Sequence, residues 1–200
     1  MFLKKNNENI VFFLSYVAIA FSYLYLRNSL FSHWSDILDQ DVTIIYNALL
    51  LGSNIQQEYL DHPAYTTIFF LNIFFKLGYF FQLIEVKNIN TLLLSENKDL
   101  ALQHIHNFSQ TIHILYSIIL VLILRNLLER ILNDKISSFI LSIIFMLSPS
   151  FIFLLEIIRS EILSLIFIFL FYICLDNYIN KSIIYVFYSG IFFTLALLSK

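Results

Sequence analysis

Five apolar runs of this chain read as span candidates and contain no Asp, Glu, Lys or Arg: Ile10 to Leu26, Phe108 to Leu124, Ile136 to Leu155, Ile162 to Leu175 and Ser182 to Ser199. Most approach the roughly 20 apolar residues with which a helix crosses the hydrocarbon core of a bilayer. Composition points the same way, with 59% hydrophobic and only 13% charged residues, where soluble domains carry about a quarter charged. The expected fold is all-α, a polytopic transmembrane helix bundle of about five spans. A further run, Pro63 to Ile84, is interrupted by Asn72, Lys76 and Gly78, which suits an interfacial or re-entrant helix better than a crossing.

The formal charge of -2 supplies no basic stripe to neutralise phosphates, so no nucleic-acid partner is expected. The single cysteine, Cys174, lies inside an apolar run and reads as packing. Lys4 and Lys5 ahead of an apolar run that reaches Ala18-Ile19-Ala20 have the form of a signal peptide. Because that run continues to Leu26 without a polar cleavage region, an uncleaved signal anchor is the better reading.

Basic residues near span ends set orientation. If Pro63 to Ile84 does not cross, then Lys4, Lys5, Arg125, Arg130, Lys135 and Lys181 all fall on the cytoplasmic side. If it does cross, the tightest basic cluster, RNLLERILNDK, moves to the wrong face. The expected layout therefore has a cytoplasmic N-terminus, a long external segment over about 28–107 after the first span, and tight cytoplasmic turns at Arg125–Lys135 and Asp176–Lys181. Richness in Phe, Ile, Tyr and Asn with little Gly or Pro suggests an AT-rich, bacterial genome, hence a multi-pass protein of the plasma (inner) membrane. Those few breakers, Gly52, Pro63, Gly78, Pro149 and Gly190, are expected to mark breaks in structure.

Within the external segment, Asp41 followed by VTIIYNALLL and Gly52 has the form of an N-cap, a short helix and a C′ glycine. Pro63 can open a second surface helix that Gly78 ends. Asp39 and Asp41 stand one residue apart. Such acids repel unless a cation, a basic side chain or a shared proton compensates, so the pair can act as a general base or hold a divalent cation such as Mg or Mn. Asp61-His62-Pro63 admits either a capping role for Asp61 or a functional one. His104, His106 and His113 match no zinc spacing.

Ser148-Pro149 falls inside the third run, where a proline kinks or ends a helix. FIFLLEIIRSEIL follows, with Glu156, Arg159 and Glu161 at a membrane mouth, where ionisable groups are costly unless paired or used. Arg159 is either a partner of Glu156 or Glu161 in a plain ion pair, or a cation held by a neighbouring acid and able to grip a phosphate.

In order, an acidic pair after the first span, Asp-His-Pro, FKLGYF, a basic turn, LSPSFIF, IIRSE opening a span and a closing LALLSK resemble the GT-C superfamily of integral-membrane glycosyltransferases, with features like those of protein O-mannosyltransferases and aminoarabinose transferases. The resemblance covers about Trp34 to Lys200. Two departures stand out: Ala64 replaces a second proline, and the acidic motif reads Asp-Gln-Asp rather than Asp-Glu. The resemblance implies that 1–200 is the N-terminal transmembrane part of a longer protein.

It also implies transfer of a sugar from a polyprenyl-phosphate donor to a lipid, glycan or protein acceptor on the external face. Asp41, with Asp39 second, would be the base on the acceptor hydroxyl. A phosphate leaving group needs no general acid but does need cations. Arg159, oriented by Glu161, would serve, with Lys200 as a second cation and Asp61 and His62 in substrate binding. Membrane lipids are the remaining partners. The rival readings are a transporter or flippase, in which Asp39, Asp41 and Arg159 line a path, and a non-catalytic assembly protein.

Overall fold

The structure, a computed structural model, describes residues 2–30, 40–58, 64–156, 158–180 and 182–199. The described residues are 84% helical with no strands. In chain order the helices are α1 (Phe2–Leu30), α2 (Gln40–Gly52), α3 (Tyr65–Phe80), α4 (Ile89–Leu94), α5 (Lys98–Leu132), α6 (Lys135–Met146), α7 (Pro149–Glu156), α8 (Ser160–Asn180) and α9 (Ile184–Leu198).

Two of them, α5 and α8, are long and apolar enough to cross a membrane, and the bent pair α6–α7 makes a third if it is one span. Asn9–Tyr23 within α1 and Ile184–Leu198 are shorter apolar helices. At 1.5 Å per residue, the 35 residues of α5 measure about 52 Å, against about 30 Å of hydrocarbon. Its first turns therefore extend the helix well beyond one bilayer thickness. The external polar segment expected to run to Asn107 is already helical from Lys98, because the Asn97 side chain accepts from the Leu100 N–H and caps the helix there.

The expected kink is present. A bend of 65° separates α6 from α7. Ser148 accepts the Phe151 N–H on its side chain at 3.3 Å, and Pro149 is the first residue of α7, where its missing N–H costs nothing. At the other end of α6, Asp134 caps through the N–H groups of Ile136 and Ser137. Hydrogen bonding from Ser137 holds the Asp134 carboxyl below its usual range.

The glycines behave differently from expectation. Gly52 and Gly78 terminate nothing by a left-handed turn, since no glycine here has positive φ. That conformation falls to Asn54 (φ 57), Gln82 (φ 58) and Asn133 (φ 54). After α2, Ile55 N–H reaches Leu50 O and Asn54 N–H reaches Leu51 O, a Schellman pair with Asn54 at C′. After α3, Leu83 N–H to Gly78 O and Gln82 N–H to Tyr79 O repeat it. Gly52 and Gly78 are needed for close approach instead: a Cβ on Gly52 would lie 2.6 Å from Asn72 Nδ2, and one on Gly78 would lie 2.8 Å from Phe108 Cζ. Gly190 marks no break, since it lies inside α9 with nothing within 4 Å of a Cβ placed there. Alanine at position 78 recovers about 0.5–1 kcal/mol of helix preference, so the telling exchange is Gly78→Val. It should lower stability by about 1–3 kcal/mol through overpacking, measured as thermal unfolding in detergent.

Two apolar clusters share α5. One gathers α2, α3 and α4 around Ala101, Ile105 and Ile112 of α5, and takes in Ile158 from the α7–α8 junction. The other joins α1, α6, α7, α8 and α9 around Ile114, Ile118, Leu120 and Val121. Arg130 of α5 bonds Asp176 of α8 at 2.8 Å, whereas Ile112 and Ile158 meet in the first cluster, so α5 and α8 run in the same direction. Arg125 donates to Asn9 Oδ1 at 3.1 Å and lies 4.5 Å from the Phe12 ring centroid. The turns expected at 125–135 and 176–181 are largely helical, since α5 runs on to Leu132 and α8 to Asn180, while Lys181 lies outside the described residues. The start of α1, the end of α5 and the end of α8 thus occupy one end of the molecule, and the α2–α4 cluster with Ile158 occupies the other.

Several serines and threonines inside these apolar helices bond their own helix four residues back. Examples are Ser109 to Ile105 O at 2.8 Å and Ser117 to His113 O at 3.0 Å, which lets hydroxyls be buried without orphan donors.

Candidate functional site

Of the sequence-derived site residues, Arg159 and Glu161 are described in full. Asp39, Asp61, His62 and Lys200 lie outside the described residues, and so do the side chains of Asp41 and Glu156. The backbone of Asp41 is described, and it corrects the cap reading: α2 starts at Gln40, so Asp41 sits in the first helical turn rather than at the N-cap. Likewise α3 begins at Tyr65 behind a left-handed Ala64 (φ 30), two residues beyond Pro63 rather than at it.

Arg159 occupies the short break between α7 and α8. Its guanidinium lies 3.8 Å from the Glu161 carboxylate and 5.2 Å from the Phe153 ring centroid. The ion pair is longer than the roughly 2.7–2.9 Å of a charge-assisted hydrogen bond, and the two side chains are 25% and 44% exposed, so it contributes little to stability. The Nε of Arg159 is buried with no hydrogen-bond partner among the described residues. This guanidinium is positioned by a carboxylate and an aromatic face while keeping donors to spare, the state in which it can receive an oxyanion.

The adjoining residue ties this cation to the acidic helix. Ile158 is 1% exposed and shares the cluster formed by Ile44, Ile45, Ala48 and Leu49 of α2. The helix that carries Asp41 and the junction that carries Arg159 are therefore at the same end of the molecule.

His113 has a role that its spacing to other histidines could not reveal. Its Nε2 lies 2.8 Å from the carbonyl oxygen of Leu154, and opposite a carbonyl that nitrogen must donate. Leu154 is in the last turn of α7, whose carbonyls have no partner within the helix. His113 therefore closes the end of α7 and holds open the break in which Arg159 sits. His113→Leu should cost about 1–3 kcal/mol by leaving that carbonyl unpaired, with part recovered in His113→Gln, read by thermal unfolding in detergent.

One helical turn further along α5, the Tyr116 ring packs on Phe74 at 6.1 Å, and its hydroxyl is buried with no hydrogen-bond partner among the described residues. His106, Ser109, Gln110, His113 and Ser117 form a buried polar stripe on α5. Their spacing of three and four was the available signal, legible as one helix face. Among the described residues no group of three or more His, Cys, Asp or Glu can hold a metal ion; the Asp39–Asp41 pair is outside that set. No known protein family, curated protein or solved structure matches the chain.

Proposed function

We propose that this protein is a membrane glycosyltransferase that moves a sugar from a polyprenyl-phosphate donor to an acceptor hydroxyl at the external membrane face. The observation that carries the reading is Arg159: a cation with unused donors in a helix break, one residue from a side chain that packs with the acid-bearing α2. In this reading α1, α5, α6–α7, α8 and α9 are the spans and the N-terminus is cytoplasmic. The α2–α4 cluster forms an external cap between the first and second spans. The grouping of Asn9, Arg125, Arg130 and Asp176 at one end favours that layout, because basic residues collect on the cytoplasmic side.

Chemically, Asp41, or Asp39 beside it, takes the proton of the acceptor hydroxyl as its oxygen bonds the anomeric carbon. The bond from that carbon to the phosphate oxygen breaks, and its electron pair leaves with the phosphate. Arg159 stabilises the charge that accumulates there, and Glu161 holds the guanidinium in line. Asp61, His62 and Lys200 complete the head-group site, and the polyprenyl chain stays in lipid. A divalent cation at Asp39 and Asp41 would assist by neutralising the same phosphate.

The buried histidines of α5 and the broken α6–α7 helix favour a second reading as a transporter, since transporters place polar groups and broken helices within the bundle. The complete protein in proteoliposomes, supplied with a lipid-linked labelled sugar, separates the two. Label appearing on an acceptor supports transfer; label crossing the bilayer without transfer rejects it. Cysteines introduced singly at positions 87 and 159 should react with a membrane-impermeant reagent from one side, and a cysteine at position 130 from the other. Labelling of 87 and 159 from opposite sides removes the shared site.

A further inference from the structure

The connection from α3 to α4 carries a feature that the transferase reading does not use. At the last residue of α3 and just beyond it, Phe80, Phe81 and Leu83 are 75%, 64% and 67% exposed. Phe80 lines a depression of about 980 Å³ whose polar rim includes Lys76, Lys87, Gln82 and Asn88, with Glu85 as its only carboxylate among the lining residues, and Phe81 and Leu83 lie next to lining residues in sequence. The Lys87 ammonium lies 4.7 Å from the Tyr79 ring centroid, which holds that charge at the edge of the depression. Exposed aromatic and aliphatic side chains beside lysines are the composition of a segment lying at a membrane surface, with rings in the acyl boundary and ammonium groups among the headgroups.

Its height along the bundle agrees. Gly78, in the last turn of α3, packs against Phe108, the first residue of the uncharged apolar run of α5. Phe80, Phe81 and Leu83 follow within a few residues. They therefore sit where α5 passes from its polar beginning into the stretch that crosses lipid, the level of the interface.

We infer that the α3–α4 connection is an anchor that inserts Phe80, Phe81 and Leu83 into the leaflet and binds the phosphate of an anionic phospholipid headgroup between Lys76 and Lys87. The occupant follows from charge complementarity: two lysines against one glutamate leave a net positive rim, which attracts anionic over zwitterionic headgroups. With one net charge the preference should be about fivefold, from about 1 kcal/mol per basic residue near an anionic surface. This site is separate from Arg159 and does not depend on the transfer chemistry.

The test uses the complete protein in nanodiscs, with Trp34→Phe removing the single native tryptophan and Phe81→Trp supplying a reporter. Phosphatidylglycerol or phosphatidylcholine, brominated on the acyl chains, is included at equal fraction in otherwise unbrominated bilayers. Stronger quenching by brominated phosphatidylglycerol, equalised in the Lys76→Gln, Lys87→Gln double variant, is the expected result. Absence of quenching by either lipid overturns the insertion. Equal quenching by both before the lysines are changed overturns the headgroup site, and selectivity that survives in the double variant overturns its assignment to these lysines.

Discussion

Arg159→Gln is expected to slow sugar transfer about 10²- to 10³-fold, the loss that follows removal of one preorganised donor from developing negative charge. Folding should be nearly unaffected, because the guanidinium reaches Glu161 only at 3.8 Å with both side chains partly exposed. Arg159→Lys should restore only part of the rate: an ammonium keeps the charge but cannot place two parallel N–H donors on a phosphate. Glu161→Gln should have the smaller effect of loosening an orientation. Initial rates of transfer from a lipid-linked donor, beside unfolding curves for the same variants, decide the matter. An unchanged rate in Arg159→Gln removes the phosphate assignment.

The second large effect concerns the acids. Asp41→Asn, Asp39→Asn and the double variant are expected to show that one of the two carries the base function, with a rate loss of about 10²- to 10⁴-fold in that variant and in the double. Asparagine keeps the size and the helix-terminal hydrogen-bonding capacity of aspartate but cannot accept the acceptor's proton. Placement of Asp41 in the first turn of α2 gives its charge a favourable site at the positive end of the helix dipole. That placement also predicts a small stability loss on neutralisation, separable from the rate loss by measuring both. Full activity in all three variants rejects the base.

Several elements were legible along the chain. Pro149 announced the break in the third apolar run, because a ring at that position clashes with the preceding turn whatever surrounds it. An acidic partner for Arg159 was legible from spacing, with Glu156 and Glu161 both in reach, and the structure pairs it with Glu161 at 3.8 Å. The extent of α5 was not. Polar residues from His104 to Asn107 read as the end of a loop, yet Asn97 caps a helix that runs through them and the first apolar cluster packs along it. Nor could the glycines be read. In a chain with only 3 glycines, asparagine and glutamine take the left-handed turns, while Gly52 and Gly78 sit where another helix approaches too closely for a side chain.

The apolar runs and their sparing use of charge determined by themselves that this is a helical protein with segments made for a bilayer. Hydrophobic length is a local property, written residue by residue. Which side chains face one another depends on how the helices cross. Packing alone brought His113 to the open end of α7, placed Ile158 among the residues of α2, and so set Arg159 at the same end of the bundle as the helix that carries Asp41.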